Sequence, residues 1–162
     1  MASWFDAGFA ATRDANVTGV TIVDFGVYTA KSLSSKRAKT PNGKIQWLRD
    51  FQLLQSTRVV CPRPGATFGF HYSVDGAPSG VEVPIRVGVR YPQGVRSPLT
   101  GVWVDHAEHV FPRNLGEVRF SDCSIDGAWD NVEGTWSIDL WWAHVELTEQ
   151  DFELNRKACT ES

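Results

Sequence analysis

The amino-acid sequence predicts an all-β chain: one antiparallel β-sandwich of about eight strands. Three observations predict it. The first is strict alternation. From Thr67 to Val74, Phe68, Phe70, Tyr72 and Val74 share one face while Thr67, Gly69, His71 and Ser73 share the other. From Val81 to Arg90, Val81, Val83, Ile85, Val87 and Val89 oppose Glu82, Pro84, Arg86, Gly88 and Arg90. Trp136, Ile138, Leu140 and Trp142 oppose Ser137, Asp139 and Trp141. A period of two is the mark of a half-buried strand. The second is punctuation: Gly, Pro and Asp clusters separate short apolar runs, with no helix–strand alternation that would call for a parallel sheet. The third is that one face is apolar and one polar in strand after strand, as two sheets packed face to face require.

Size and composition fit that class. The chain has 162 residues, 42% of them hydrophobic and 12% aromatic, enough apolar surface for one core. The only Met is the first residue, so the core is built from stiff Val, Ile and aromatic side chains that favour strands. Three segments are expected: an N-terminal arm or short helix over 1–16, the sandwich over 17–155, and a tail over 156–162.

Val17 to Tyr28 is rich in β-branched residues and reads as the first strand. Lys31 to Lys44 has no apolar period and carries Pro41-Asn42-Gly43, so it reads as a long solvated loop. The first half of Ile45 to Cys61 reads as a helical turn and the second half as a strand. Asp75 to Gly80 is turn chemistry, which predicts that the strands on either side pair as a hairpin. Pro84, on the polar face, removes a ladder donor and predicts an edge strand. Thr100 to Phe111, Glu117 to Ile125, Thr135 to Val145 and Phe152 to Asn155 complete the set.

A resemblance joins these segments. Gly69-Phe70-His71-Tyr72 with Gly76 after them, Tyr91-Pro92 with Gly94, Pro98 and Gly101, and Gly134-Thr135-Trp136 followed by Leu147 and Phe152 carry it. Together, over roughly Val17 to Leu154, they resemble a bacterial family of uncharacterised domains with an immunoglobulin-like sandwich. The resemblance implies that fold and assigns no activity. The basic segment from Lys31 to Lys44 stands outside the matching pattern.

Charge is uneven. The net charge is −3, but Lys31 to Arg63 holds eight Lys/Arg and one acid, whereas the chain from Gly101 onward holds four Lys/Arg and thirteen acids. Lys36, Arg37, Lys39 and Lys44, with Trp47 to stack a base, raise nucleic-acid binding; the negative total makes it the less expected reading. Cys61, Cys123 and Cys159 show no CxxC or zinc spacing. They read as reduced, mostly buried thiols, with one bridge and a free thiol as the alternative in an oxidising compartment. The first residues lack the basic and apolar regions of a signal peptide. A cytoplasmic protein is therefore the default, and a periplasmic or secreted one follows if a leader has been removed. No apolar run reaches the ~20 residues of a transmembrane span.

Five constellations carry candidate chemistry. Asp122, Ser124, Asp126, Asp130 and Glu133, with Gly127, occupy positions of a twelve-residue window spaced like a calcium loop, since a hard cation wants several oxygens and a tight turn. The strands around it favour an ordinary loop in which Trp129 plugs the core. Asp105-His106-Ala107-Glu108-His109 would need His71 or His144 to complete a transition-metal site, and reads instead as histidines on an edge strand. No Gly-x-Ser-x-Gly elbow, Walker loop or dinucleotide fingerprint occurs, so no catalytic residue is assigned and no enzyme is expected. The basic segment is the fourth constellation. The fifth is Trp141 with Asp139 on the polar face of its strand, placed to stack a sugar or anchor a protein. The expected function is a non-catalytic binding or protein-interaction module, with a protein or glycan partner. The alternatives are a carbohydrate-binding module using exposed Trp and a calcium-binding sandwich using the loop 122–133.

Overall fold

The two segments with the cleanest alternation face each other across the core from different sheets. The structure, a computed structural model, describes residues 15–37, 41, 44–127 and 129–160. Among them are nine strands: β1 (Asn16–Arg37), β2 (Lys44–Gln55), β3 (Val59–Val60), β4 (Thr67–Ala77), β5 (Glu82–Arg96), β6 (Trp103–Asn114), β7 (Val118–Ser124), β8 (Gly134–Trp142) and β9 (Val145–Leu154). One sheet has the order β2-β1-β4-β7 and the other β3-β9-β8-β5-β6. Every pairing is antiparallel except the two-residue β3–β9 contact. The antiparallel sandwich is therefore as the sequence predicts.

The expected β4–β5 hairpin does not form. β4 pairs with β1 and β7, and β5 with β6 and β8. Both strands carry a full apolar face, and packing those faces together buries more than setting them edge to edge. Phe68, Phe70, Tyr72, Val83, Ile85, Ile138, Leu140 and Phe152 are all fully buried as a result. The β4–β5 crossover lies beside the β6–β7 crossover. Gly80 N–H donates to Leu115 O, Leu115 N–H to Val81 O and Gly116 N–H to Val74 O, each at 2.9 Å. Those exchanges satisfy backbone groups that would otherwise be stranded between sheets.

Pro84 does not mark an edge either, since β5 is flanked on both sides. Pro84 faces Pro112 of β6, and the β8 pairing covers only Arg86 to Arg90. The missing donor thus sits where β5 has run past β8. β6 is the edge, as the His106/His109 segment suggests, and both histidines are exposed.

The largest departure is the segment from Lys31 to Lys44. Its first half is strand: β1 continues through Arg37 and pairs with β2 from Lys31↔Arg49 to Arg37↔Lys44, while residues 38–40 and 42–43 lie outside the described residues. The helical turn expected after Ile45 is also strand. Cross-strand backbone pairing sustains this ribbon although its residues show no apolar period.

Trp136 centres the core, edge-on to Phe68 at 5.7 Å and to Tyr91 at 4.9 Å between ring centroids. Its indole N–H donates to Val132 O at 2.9 Å. Of the expected N-terminal arm, residues 1–14 lie outside the described residues; Ala15 is buried in the core and Asn16 begins β1. At the other end Arg156–Thr160 forms a 3-10 turn. Cys159 in that turn is disulfide-bonded to Cys61, and Cys123 is a buried free thiol. The expectation of three reduced thiols is corrected: residues 98 apart in sequence meet with Cα atoms 4.8 Å apart, inside the range a disulfide spans.

Candidate functional site

β7 is one edge of the four-stranded sheet and β6 one edge of the five-stranded sheet, and a cleft of about 530 Å³ runs between them. Its walls come from both faces of β7. On the inner side stand Val87, Val89, Tyr91, Phe111 and Trp136; on the outer side stand Phe51, His71 and Phe120. Trp129, expected in the core, is half-buried in this wall.

The outer side is set by β1, β4 and β7. Asp24 opposes His71 and His71 opposes Phe120, so the three lie in one row. Asp24 Oδ1 accepts hydrogen bonds from Tyr28 O–H at 2.5 Å and from His71 Nδ1 at 2.6 Å. Desolvation works against the ionised Asp24, but the bonds from Tyr28 and His71 and the imidazole's charge hold its carboxyl below the ordinary value. Burial, then Asp24's hydrogen bond and charge, push the Tyr28 phenol up. Asp24 is therefore the acceptor and fixes the His71 ring through Nδ1. Tyr28, Phe51 and Phe120 pack around that ring, with centroids 5.4, 6.1 and 4.6 Å from it.

Asp122 sits one row along, opposite Gly69. A Cβ at Gly69 would fall 2.0 Å from Ser121 O, so only glycine lets β7 approach this closely. Asp122 is half-buried in the β7 wall of the cleft. Burial raises its pKa to about 7 against a weak hydrogen bond from Ser124 O–H at 3.5 Å. Burial, with Asp122 and Asp130 nearby, pushes the Cys123 thiol well up, so it stays protonated.

The five residues of the calcium-like window point to different places. Asp122 and Ser124 lie on β7. The two oxygens of Asp130 accept from the backbone N–H of Asp126 and Gly127, both at 3.0 Å, which folds the loop on itself. Glu133 accepts from Arg156 N–H at 2.7 Å, tying β8 to the C-terminal turn. Among the described residues no three His, Cys, Asp or Glu are grouped to hold a metal ion.

Trp141 and Asp139 are brought together. The indole N–H of Trp141 donates to Asp139 Oδ1 at 2.9 Å, and the Arg86 guanidinium lies over the Trp141 ring at 5.1 Å. Asp139 is 5% exposed, folded across Gly88, where a Cβ would come within 2.3 Å of its Oδ1. One face of the half-buried indole is thus covered by Arg86. Among the described residues its own strand offers no second aromatic on that face beside Ser137 and Asp139.

Sequence reasoning missed the Asp24–His71–Tyr28 group. Its one signal is that Asp24 and Tyr28, four residues apart, interrupt the β-branched and aromatic run from Val17 to Tyr28.

A crystal structure of an immunoglobulin-like protein from Pseudomonas aeruginosa is similar over 90% of this chain and 99% of its own, with a TM-score of 0.61 and 20% sequence identity. The fold is an immunoglobulin-like β-sandwich. At that identity the likeness speaks for the fold alone. No protein-family model and no curated protein matches the chain. Among the described residues of the immunoglobulin-like chain, no helix is long and apolar enough to cross a membrane.

Proposed function

We propose that this immunoglobulin-like chain is a non-catalytic interaction module that takes an extended peptide segment of a partner protein into the cleft between β6 and β7. The observation that carries this reading is that two free sheet edges border one cleft with aromatic and aliphatic walls. A free edge offers unpaired backbone donors and acceptors, and an extended peptide satisfies them by adding a strand, while pockets take alternate side chains. Phe51, Phe120, Trp129 and Val89 supply such walls. The polar groups favour binding over catalysis. His71 is oriented by Asp24, but among the described residues no hydroxyl or thiol is hydrogen-bonded to it, and the Cys123 thiol stays protonated.

The test is to pan a random-peptide display library against the folded chain and map each enriched peptide by amide exchange. The reading expects protection of Val118–Ser124 or Trp103–Asn114, and weaker binding to Phe120→Ala than to Trp141→Ala. Enriched peptides that protect only β8 and β9, with Trp141→Ala the damaging change, would move the site to the Trp141 face and overturn it.

A further inference from the structure

The run from Trp103 to Phe111 is complementary to itself when turned end for end. About Ala107, aromatic stands against aromatic (Trp103 and Phe111) and valine against valine (Val104 and Val110). Acid stands against histidine twice, as Asp105 and His109 and as Glu108 and His106. This run lies on β6, and among the described residues β6 has β5 on one side and no strand on the other. Its outward N–H and C=O groups are therefore open to pairing. Pro112, with no N–H to donate, ends the run on one side, and the turn from Ser97 to Val102 bounds it on the other.

Two copies of one strand can pair antiparallel about a two-fold axis normal to the sheet. Each side chain then keeps its own face, so the axis must pass through a residue. An axis through Asp105 or Glu108 would set two like carboxylates face to face. One through His106 would set Val104 against Glu108 and leave Asp105 against Ala107. Only Ala107 on the axis matches the charges, the valines and the aromatics together, and directly opposed pairs are what stabilise a ladder.

The side chains are available for it. Trp103 is 63% exposed and Val110 54%, and Asp105, His106, Glu108 and His109 are all exposed. Their present partners are weak or leave room. Glu108 stands 3.7 Å from Arg86 in an exposed ion pair, which contributes little. His106 leans over Gly88, and His109 rests on Phe111 at 4.7 Å between centroids.

We propose that β6 is a dimerisation edge, at which two copies of this chain join β6 to β6 about Ala107 and merge their five-stranded sheets into one. Asp105 then meets His109 of the second copy, His106 meets Glu108, and Trp103 packs on Phe111. The complementarity selects a second copy, since the sequence of this strand is what matches it. An edge guarded by charge alone needs no such symmetry. The peptide reading requires one open edge and β7 keeps its own, so either proposal stands without the other.

The test is sedimentation equilibrium of the full, disulfide-bonded chain from about 1 to 300 µM. A reversible monomer–dimer equilibrium is expected. Trp103→Ser should raise its dissociation constant about tenfold and keep the fold, because the side chain is exposed. Asp105→Lys with Glu108→Lys leaves each histidine facing a cation, and His106→Glu with His109→Glu sets acid against acid. Each of these double variants should be monomeric throughout, and an equimolar mixture of the two should dimerise, since every pair across the register is then acid against base. A parent chain that stays monomeric at the highest concentration overturns the proposal. So does association that continues past the dimer, association that any of the three variants leaves unchanged, or a mixture that stays monomeric.

Discussion

Asp122 is a carboxyl that the fold holds at a cost, and its pH dependence shows how. Its pKa is about 7 in the folded chain against an ordinary 3.8. Below the ordinary value it is protonated folded or unfolded and contributes nothing. Between the two values the unfolded chain gives up the proton and the folded one keeps it, so stability falls as pH rises; above about 7 the penalty is constant. Asp122→Asn should therefore leave denaturant stability nearly unchanged at about pH 4 and raise it at about pH 8. A variant equally or less stable than the parent at the higher pH would show that the carboxylate is well solvated. The neighbouring carboxyls have other partners: the backbone amides of Asp126 and Gly127 donate to Asp130, and the Arg156 N–H donates to Glu133. Millimolar calcium is accordingly expected to leave the melting temperature where it was, since a ligand raises it only by binding the folded state. None of this is legible in sequence: the spacing from Asp122 to Glu133 matches a metal loop, while the direction of each carboxylate depends on where β7 ends and the loop turns back. The Trp141–Asp139 pairing was legible, because alternation alone puts both on one face of β8.

At the scale of elements, the strands with a clean period were readable and the ones held by partners were not. β4, β5 and β8 turn their alternating apolar residues into the core, and β8 buries Ser137 and Asp139 on its other face as well. The β1–β2 ribbon, read as a loop, owes its form to backbone pairing from Lys31 to Arg37. The sequence predicts a strand from Thr135 to Val145 and a short last one from Phe152 to Asn155; β9 instead begins at Val145, since the turn before it, Ala143-His144, holds neither Gly nor Asn to signal it. Ala143 nonetheless adopts a φ of 51°, a left-handed turn conformation that a non-glycine residue takes at a modest energetic cost. β2 is tied to its sheet partly by Phe51, whose ring lies 4.1 Å from Phe120 between centroids. Phe51→Ala should cost about 1–3 kcal/mol, less than a fully buried aromatic because the ring is half-buried. Amide exchange should quicken over Lys44–Gln55 more than over Gly134–Trp142. Equal acceleration in both would mean that Phe51 holds the whole sandwich together and not this one strand.

For the molecule as a whole, the β3–β9 edge is where sequence-distant parts are bound together. β3 has only two residues paired with β9, at Val59↔Glu153 and Val60↔Leu154. So short a strand cannot hold the chain end by its ladder alone. Three further contacts reinforce it: Asn155 N–H donates to Val60 O at 3.0 Å, Arg63 donates to Cys159 O at 3.2 Å, and Cys61 is bonded to Cys159. The bridge closes a loop of 98 residues that holds β4 to β9, four strands of the five-stranded sheet and two of the four-stranded one. In the chain-entropy account such a constraint acts on the unfolded state and is worth roughly 2–5 kcal/mol. The pair Cys61→Ser and Cys159→Ser should lose about that much in denaturant unfolding with native far-UV circular dichroism retained, since Phe68, Trp136 and Phe152 pack without the bridge. A reducing agent should reproduce the loss in the parent chain and do nothing to the variant. If it destabilises both equally, the stabilisation lies elsewhere. A bridge of this kind persists in an oxidising compartment. The sequence alone could not choose between three thiols and one bridge with a free thiol, because any two of the three cysteines could pair; the odd one, Cys123, is buried in β7.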